Sequence, residues 1–149
     1  MKNKLVPLLI TLGLALGTVA VAAGPASASP VCSTASYVEA RTTMSYIAVP
    51  STSGGDTYCH LQRGAGGEGV KTLQTSLYQC YYLRGPRLAV FNIARDGSYG
   101  PKTEAAVKAA QQYHRISADG IYGPQTRNYM MHFGNWEGDV ACGYFDTSA

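Results

Sequence analysis

The chain contains one eight-residue phrase twice, and this repeat constrains its fold more than any other feature. Residues 96–103 read DGSYGPKT and residues 119–126 read DGIYGPQT, so six of the eight positions agree. This agreement marks an internal repeat. Asp-Gly favours a turn with glycine at positive φ, and proline is tolerated at the first helical position because no N–H is needed there. Each copy therefore predicts a turn followed by the start of a helix.

The first 28 residues have the layout of a secretory signal peptide. Lys2 and Lys4 precede an apolar run over residues 5–23, and Ala26-Ser27-Ala28 follows as a small-residue cleavage site. The alternative is a transmembrane anchor, since the run nearly reaches spanning length. The glycines and the proline within the run, and the cleavage site after it, favour a signal peptide that is cleaved off over a membrane anchor. We expect a secreted, soluble, monomeric mature protein that starts near Ser29 and makes no membrane contact.

The charge of the mature chain is close to neutral. Loss of the two lysines in the signal leaves ten basic against nine acidic residues. Nucleic-acid binding requires a basic surface to meet the phosphates. The charge balance therefore argues against a nucleic-acid partner.

All four cysteines, Cys32, Cys59, Cys80 and Cys142, lie in the predicted mature part. An even number in an exported chain indicates two disulfides, and three connectivities are possible. We favour the sequential pairing, which ties the N-terminal leader to itself and the first helix to the C-terminal tail. The cysteines and histidines do not have the CxxC or HxxxH spacing of metal-binding motifs, so we expect no metal and no cofactor.

Helical spacing begins after an irregular leader. Val70, Leu73, Leu77 and Tyr81 form one apolar stripe and predict a helix over about residues 67–83. The two repeats predict helices over about 101–114 and 124–132. The leader contains short β-prone runs and turn residues, which predict an irregular segment or a short β-hairpin. We therefore predict an all-α fold, a compact three-helix domain with repeated turn-helix units and this leader.

Residues 63–131 resemble the three-helix peptidoglycan-binding domain found in many bacterial cell-wall hydrolases. The resemblance rests on four groups of residues: Val70-x-x-Leu73-Gln74-x-x-Leu77, residues 96–107, Gln111, and residues 116–126 with the second repeat. It divides the chain into a signal peptide (1–28), a disulfide-tied leader (29–62), the binding domain (63–133) and a disulfide-tied tail (134–149). It also implies a cell-wall location, and a peptidoglycan ligand offering peptide stems and glycan.

Four features depart from the family pattern. Ala110 replaces a usual phenylalanine, so Phe91 or Tyr113 must fill that space in the core. Arg115 replaces a usual glycine and is expected to adopt the left-handed conformation, at a cost of about 1 kcal/mol. Gly66 replaces a usual capping serine or aspartate, and the loop over residues 85–95 is longer than in the family.

The predicted ligand contacts lie in or just after the repeated turns: Tyr99, Lys102, Tyr122, Arg127 and Tyr129. Tyrosine rings suit sugar faces, and the two cations suit stem carboxylates. Four of them also have a structural interpretation: Tyr99 and Tyr122 as core anchors, and Lys102 and Arg127 as solvated charges. Gln74 and Gln111 are interpreted as capping loop backbone, and the Asp and Gly of each repeat as turn formers.

The sequence predicts a binding protein without catalytic activity. The three histidines lie in no motif with a catalytic mechanism, and oxidised cysteines cannot act as nucleophiles. Asp96 and Asp119 begin equivalent turns, which argues against an acid–nucleophile pair. The alternative function is a secreted structural or inhibitory protein that binds a protein partner through its leader and tail, including Trp136 and Tyr144.

Overall fold

The computed structural model describes residues 29–41, 46–136 and 139–148, and the predicted signal peptide lies outside the described residues. The elements in chain order are strands β1 (Thr34–Glu39) and β2 (Tyr46–Ser51), helices α1 (Glu68–Ser76), α2 (Pro101–Tyr113) and α3 (Pro124–Tyr129), and strands β3 (Met131–Trp136) and β4 (Asp139–Tyr144). A π-helical segment, Leu77–Leu83, continues α1, and a 3₁₀ turn, Ala89–Phe91, precedes α2.

The first predicted helix is confirmed over its whole length. It runs through α1 and the π-helical segment, and all four residues of the apolar stripe are fully buried. Glu68 lies in the first turn, where the helix dipole favours a carboxylate. Phe91 is also fully buried and lies 5.0 Å from the Tyr81 ring, whereas Tyr113 is 52% exposed. Of the two candidates to fill the core near Ala110, Phe91 is therefore the interior one.

Both repeats form the predicted turn and helix start. Gly97 and Gly120 have φ of 74° and 77°, and the proline of each copy opens α2 or α3. The second helix is confirmed, and Arg115 after it has the expected left-handed φ of 56°. The third helix is shorter than predicted: it ends at Tyr129, and the following residues turn into β3 instead of continuing to His132.

The all-α prediction is wrong, because four antiparallel strands form a sheet in the order β1-β2-β3-β4. The fold is mixed, with helices and one sheet. The predicted leader hairpin is present as β1–β2, and β3–β4 forms a second hairpin. Among the described residues, the two hairpins join through two residue pairs, Tyr46 with Asn135 and Ile47 with Gly134. A bridge between Ala40 and Phe145 brings the end of β1 to the end of β4, so the sheet curls around a small apolar cluster of its own.

Two disulfides tie the outer segments down, with the pairing that we favoured from sequence. Cys32 bonds to Cys59 within the leader, and Cys80 of the π-helical segment bonds to Cys142 of β4. The main core lies between α1, α2, the 3₁₀ turn and the repeated turns, and three of the four cysteines belong to it. The division into leader, domain and tail stays a prediction; β3 continues across its border at residue 133.

Candidate functional site

A buried glutamine holds the first repeated turn. Gln74 Nε2 donates to Asp96 Oδ1 at 2.9 Å, to the Ser98 carbonyl at 2.9 Å and to Thr103 Oγ1 at 3.1 Å. The Gly97 N–H donates to Gln74 Oε1 at 2.9 Å. The glutamine of α1 therefore caps the turn and the first residues of α2, as predicted.

The second turn repeats this arrangement with the glutamine of α2. Gln111 Nε2 donates to Asp119 Oδ1, the Ile121 carbonyl and Thr126 Oγ1 at 2.7–3.0 Å. The Gly120 N–H donates to Gln111 Oε1 at 2.9 Å, and this bond is buried. The capping interpretation of both glutamines is thus confirmed, and each helix positions the turn that starts the next one.

Tyr99 and Tyr122, both predicted as ligand contacts, lie in the interior. The Tyr99 hydroxyl donates to the Gly120 carbonyl at 2.8 Å, which links the first turn directly to the second. Tyr122 is fully buried, and its backbone pairs with that of Leu61 from the leader. Burial raises the pKa of both phenols, so both stay neutral. In this structure the two tyrosines anchor the core.

Arg127, another predicted contact, is only 2% exposed. Its guanidinium carbon lies 4.7 Å from the Tyr58 ring centre and 4.1 Å from that of Phe145. NH1 donates to Thr57 Oγ1 at 2.7 Å, and Nε donates to Asn128 Oδ1 at 2.9 Å. Cation–π contacts of this kind stabilise a desolvated cation by about 2 kcal/mol. The arginine therefore joins α3 to the leader and the tail.

Tyr129 is 53% exposed and borders an open cleft of about 370 Å³. We call this the Tyr129 cleft; its lining residues come from the leader, the end of α2, α3 and the tail: Arg41, His114, Asn128, Tyr129, Tyr144 and Thr147. The Arg41 guanidinium lies 5.8 Å from the Tyr144 ring centre. The cleft thus combines one cation, an imidazole, an amide, a hydroxyl and two phenol rings.

His114 in this cleft is hydrogen-bonded to Tyr81 and partly buried. The Met131 N–H donates to the Tyr81 hydroxyl oxygen, and the Tyr81 O–H is 2.7 Å from His114 Nε2. Partial burial lowers the pKa of His114, so the ring is neutral at neutral pH. This contact connects the imidazole to the buried Tyr81 and through it to the start of β3.

Arg127 orients one polar group of the cleft. The bond from Arg127 Nε to Asn128 Oδ1 leaves the Asn128 NH₂ as the free end of the amide. Two hydrogen bonds from Ser148, and to a smaller extent the Arg41 cation, lower the pKa of Asp146. The cleft offers donors and aromatic faces, which suit a ligand with carboxylate and amide or sugar groups.

Lys102, the remaining predicted contact, does not line this cleft. It is exposed on the first turn of α2 and borders a second groove of about 360 Å³. The groove is lined by residues of the first repeat and the preceding loop: Gln74, Ile93, Ala94, Asp96, Ser98, Gly100, Pro101, Lys102 and Thr103. The five predicted contacts are therefore divided among the interior, the Tyr129 cleft and the Lys102 groove.

Sequence reasoning missed the contributions of Arg41, His114 and Tyr144 to the Tyr129 cleft. These residues lie in three different segments and carry no motif, so only the closed sheet brings them together. In the ranges 29–41, 46–136 and 139–148 the structure contains neither a cluster of three metal-ligating side chains nor a helix long and apolar enough to span a bilayer.

Comparison with known proteins identifies similar sequences and structures. Residues 66–130 match the model of the family described as "Putative peptidoglycan binding domain". None of the curated proteins matches the chain. Among solved structures, the SleB N-terminal domain is 30% identical with a TM-score of 0.39, over 47% of this chain and 85% of that one. A peptidoglycan-binding protein from Clostridioides difficile, solved in complex with glutamine hydroxamate, is 26% identical with a TM-score of 0.43, over 62% of this chain and 53% of that one.

Proposed function

We propose that this chain, whose residues 66–130 belong to the peptidoglycan-binding domain family, is a secreted, noncatalytic protein that binds bacterial cell-wall peptidoglycan. The observation that carries the proposal is the family match, which spans both repeats, both capping glutamines and all five predicted contacts. Two disulfides are in keeping with an exported protein, because such bonds persist in oxidising compartments.

The Tyr129 cleft is the ligand site that we propose. Peptidoglycan stems end in carboxylates and contain amides, and the glycan offers flat sugar faces. Arg41 would pair with a carboxylate, the His114 imidazole and the Asn128 amide would form hydrogen bonds, and the exposed Tyr129 ring would stack on a sugar or apolar face. The cleft holds several such groups within one ligand-sized space, which supports this choice.

The predicted contacts take two kinds of role in this proposal. Tyr129 touches ligand, and Lys102 contacts a neighbouring part of the polymer from its own groove. Arg127 acts as a positioning residue, because its Nε holds the amide of Asn128 in place. Tyr99 and Tyr122 support the two turns from inside.

The proposal of a noncatalytic role has support from the carboxylates of the repeats. Hydrogen bonds from the Ser98 N–H and from Gln74 lower the pKa of Asp96, so this carboxylate stays ionised and cannot serve as a general acid. The Asp119 carboxylate accepts hydrogen bonds from Gln111 and from the Ile121 N–H. We therefore expect the purified protein to bind cell walls and leave their turbidity unchanged; clearing of the suspension would contradict the noncatalytic role.

Co-sedimentation of the mature protein with purified peptidoglycan tests the binding and the site. Tyr129→Ala and Arg41→Ala should each reduce the retained fraction several-fold, because each removes one cleft contact. Tyr37→Ala is the matched control, since Tyr37 is 76% exposed on β1 and does not border the cleft. Equal retention of all three variants would contradict the site, and protein left entirely in the supernatant would contradict wall binding and favour a protein partner.

A further inference from the structure

Positive charge is concentrated in one stretch of this chain, whose formal net charge is +3. Residues 69–95 contain Lys71, Arg84, Arg87 and Arg95 but no aspartate or glutamate. The three arginines are exposed: Arg84 directly follows the π-helical segment, Arg87 lies in the long loop after it, and Arg95 ends that loop. This loop is therefore a local basic surface.

The basic surface includes a row of aromatic rings. Tyr78 and Tyr82 lie one turn apart on the π-helical segment, with ring centres 5.4 Å apart. The Arg95 guanidinium carbon lies 4.5 Å from the Tyr78 ring centre. A cation and two rings therefore follow one another along the side of the segment.

The loop holds Arg87 at the far end of this row. Arg87 has a left-handed φ of 56°, and its N–H donates to the Tyr81 carbonyl at 2.9 Å. A non-glycine residue in this conformation costs about 1 kcal/mol, so the contact with the helix keeps it there. Arg87, Tyr82 and Leu83 enclose an open cleft of about 330 Å³. We call the set Tyr78, Tyr82, Arg84, Arg87 and Arg95 the arginine–tyrosine face.

No carboxylate in the described residues forms an ion pair with this face. The ion pairs among the described residues join Arg63 and Lys108 to Glu104, and none of these three residues belongs to the face. Arg84 reaches only the Gln79 side chain, at 3.5 Å. Asp96 follows Arg95 in sequence, but its Oδ1 accepts from Gln74 and from the Ser98 N–H. The positive charge of the face is thus available to an external anion.

We propose that the arginine–tyrosine face binds a linear polyol phosphate, a polyanion in which phosphodiester groups join small polyols, at a site separate from the Tyr129 cleft. Guanidinium groups bind phosphate oxygens in a bidentate manner, and the Tyr rings provide apolar contact between charges. The row from Arg95 through Tyr82 to Arg87 matches an extended chain with repeated charges. A bilayer is the less suitable partner. Leu83 and Leu88 are the exposed aliphatic side chains beside the row, and two such side chains offer little apolar area for insertion into lipid.

Binding of fluorescent poly(glycerol phosphate) to the mature protein tests this inference. Arg87→Gln with Arg95→Gln should weaken binding at least tenfold. The matched control, Arg63→Gln with Arg115→Gln, removes the same charge from exposed positions elsewhere and should change binding less than twofold. Rising salt should weaken wild-type binding, since exposed charges are screened.

Three results would overturn the inference. If both double variants weaken binding equally, net charge alone is responsible. If hyaluronate binds with equal affinity, the face does not recognise phosphodiester groups. If phosphatidylglycerol vesicles bind and the polymer does not, the partner of the face is a membrane. Circular dichroism and peptidoglycan retention of the Arg87→Gln, Arg95→Gln variant should stay unchanged. This readout separates failure of this inference from failure of peptidoglycan binding.

Discussion

His132 makes the stability of this protein depend on pH. Its side chain on β3 is fully buried, and its Nε2–H donates to the Arg127 carbonyl at 2.9 Å. Nδ1 is buried without a hydrogen-bond partner among the described residues. Burial, assisted by the Arg127 charge, lowers the pKa of His132 from 6.5 to about 4. A proton on this ring would have neither solvent nor a counter-ion.

The sign of the effect follows from the two pKa values. The unfolded chain takes up the proton near pH 6.5 and the folded chain only near pH 4, so protons favour unfolding between these values. The stabilisation is complete above pH 6.5 and lost as the pH falls to 4. One pKa unit corresponds to about 1.4 kcal/mol, so the full loss is about 3 kcal/mol, and about 2 kcal/mol is lost between pH 7.5 and 5.

Urea denaturation at pH 7.5 and pH 5 measures this loss. With a slope of about 2 kcal/mol per molar urea, the midpoint should fall by roughly 1 M at the lower pH. His132→Phe keeps an aromatic ring, loses one hydrogen bond worth about 1 kcal/mol, and should flatten the dependence on pH. His114 also has a lowered pKa and contributes in the same direction, so some dependence will remain. An unchanged pH dependence in His132→Phe would refute the reasoning.

Three further changes test the framework around the site. Gln111→Met should lower the free energy of unfolding by about 2–4 kcal/mol, because it leaves the buried Gly120 N–H without its acceptor; a loss below about 1 kcal/mol in urea denaturation would contradict the capping role. Gly134→Ala should separate the two hairpins, because a Cβ there would overlap the Tyr46 carbonyl oxygen; faster amide hydrogen exchange in β2 and β3 would be the sign, and unchanged protection the contrary result. Replacement of Cys80 and Cys142 by alanine should cost about 4 kcal/mol, since the bond closes a loop of sequence separation 62; an unchanged melting temperature in calorimetry would refute this.

Local signals in the sequence were sufficient for the helical half of the fold. The apolar stripe on α1, the Asp-Gly turns and the prolines at the starts of α2 and α3 act within a few residues, and all are found in the structure. The left-handed Arg115 was expected from the family pattern, because it stands where glycine is usual after the second helix, and many helices end in that conformation.

Long-range pairing explains what the sequence could not predict. Thr126, Tyr129, Met130 and Phe133 have helical spacing, yet α3 ends at Tyr129 because the next residues pair with β4 and with β2. Such pairing depends on segments far apart in the chain, and periodicity within one window does not contain it.

The interior position of Arg127 could not be predicted from the sequence either. Arginine is rarely buried without a carboxylate, so an exposed role was the natural expectation. Its partners Tyr58 and Phe145 lie in the leader and the tail, and only the folded chain reveals the aromatic pair. The same applies to the Tyr129 cleft, whose residues share no sequence pattern.

The enclosure of Arg127 bears on how this domain could be transplanted into another protein. Cutting the chain at the borders of the family match, residues 66–130, would remove Tyr58 and Phe145. The Arg127 guanidinium would then lose both of the aromatic rings that cover it. The cut would also leave Cys80 with a free thiol, because Cys142 lies beyond the border. A working graft therefore has to carry the leader and the closing hairpin with it, so the portable unit in this protein is nearly twice as long as the segment that identifies its family.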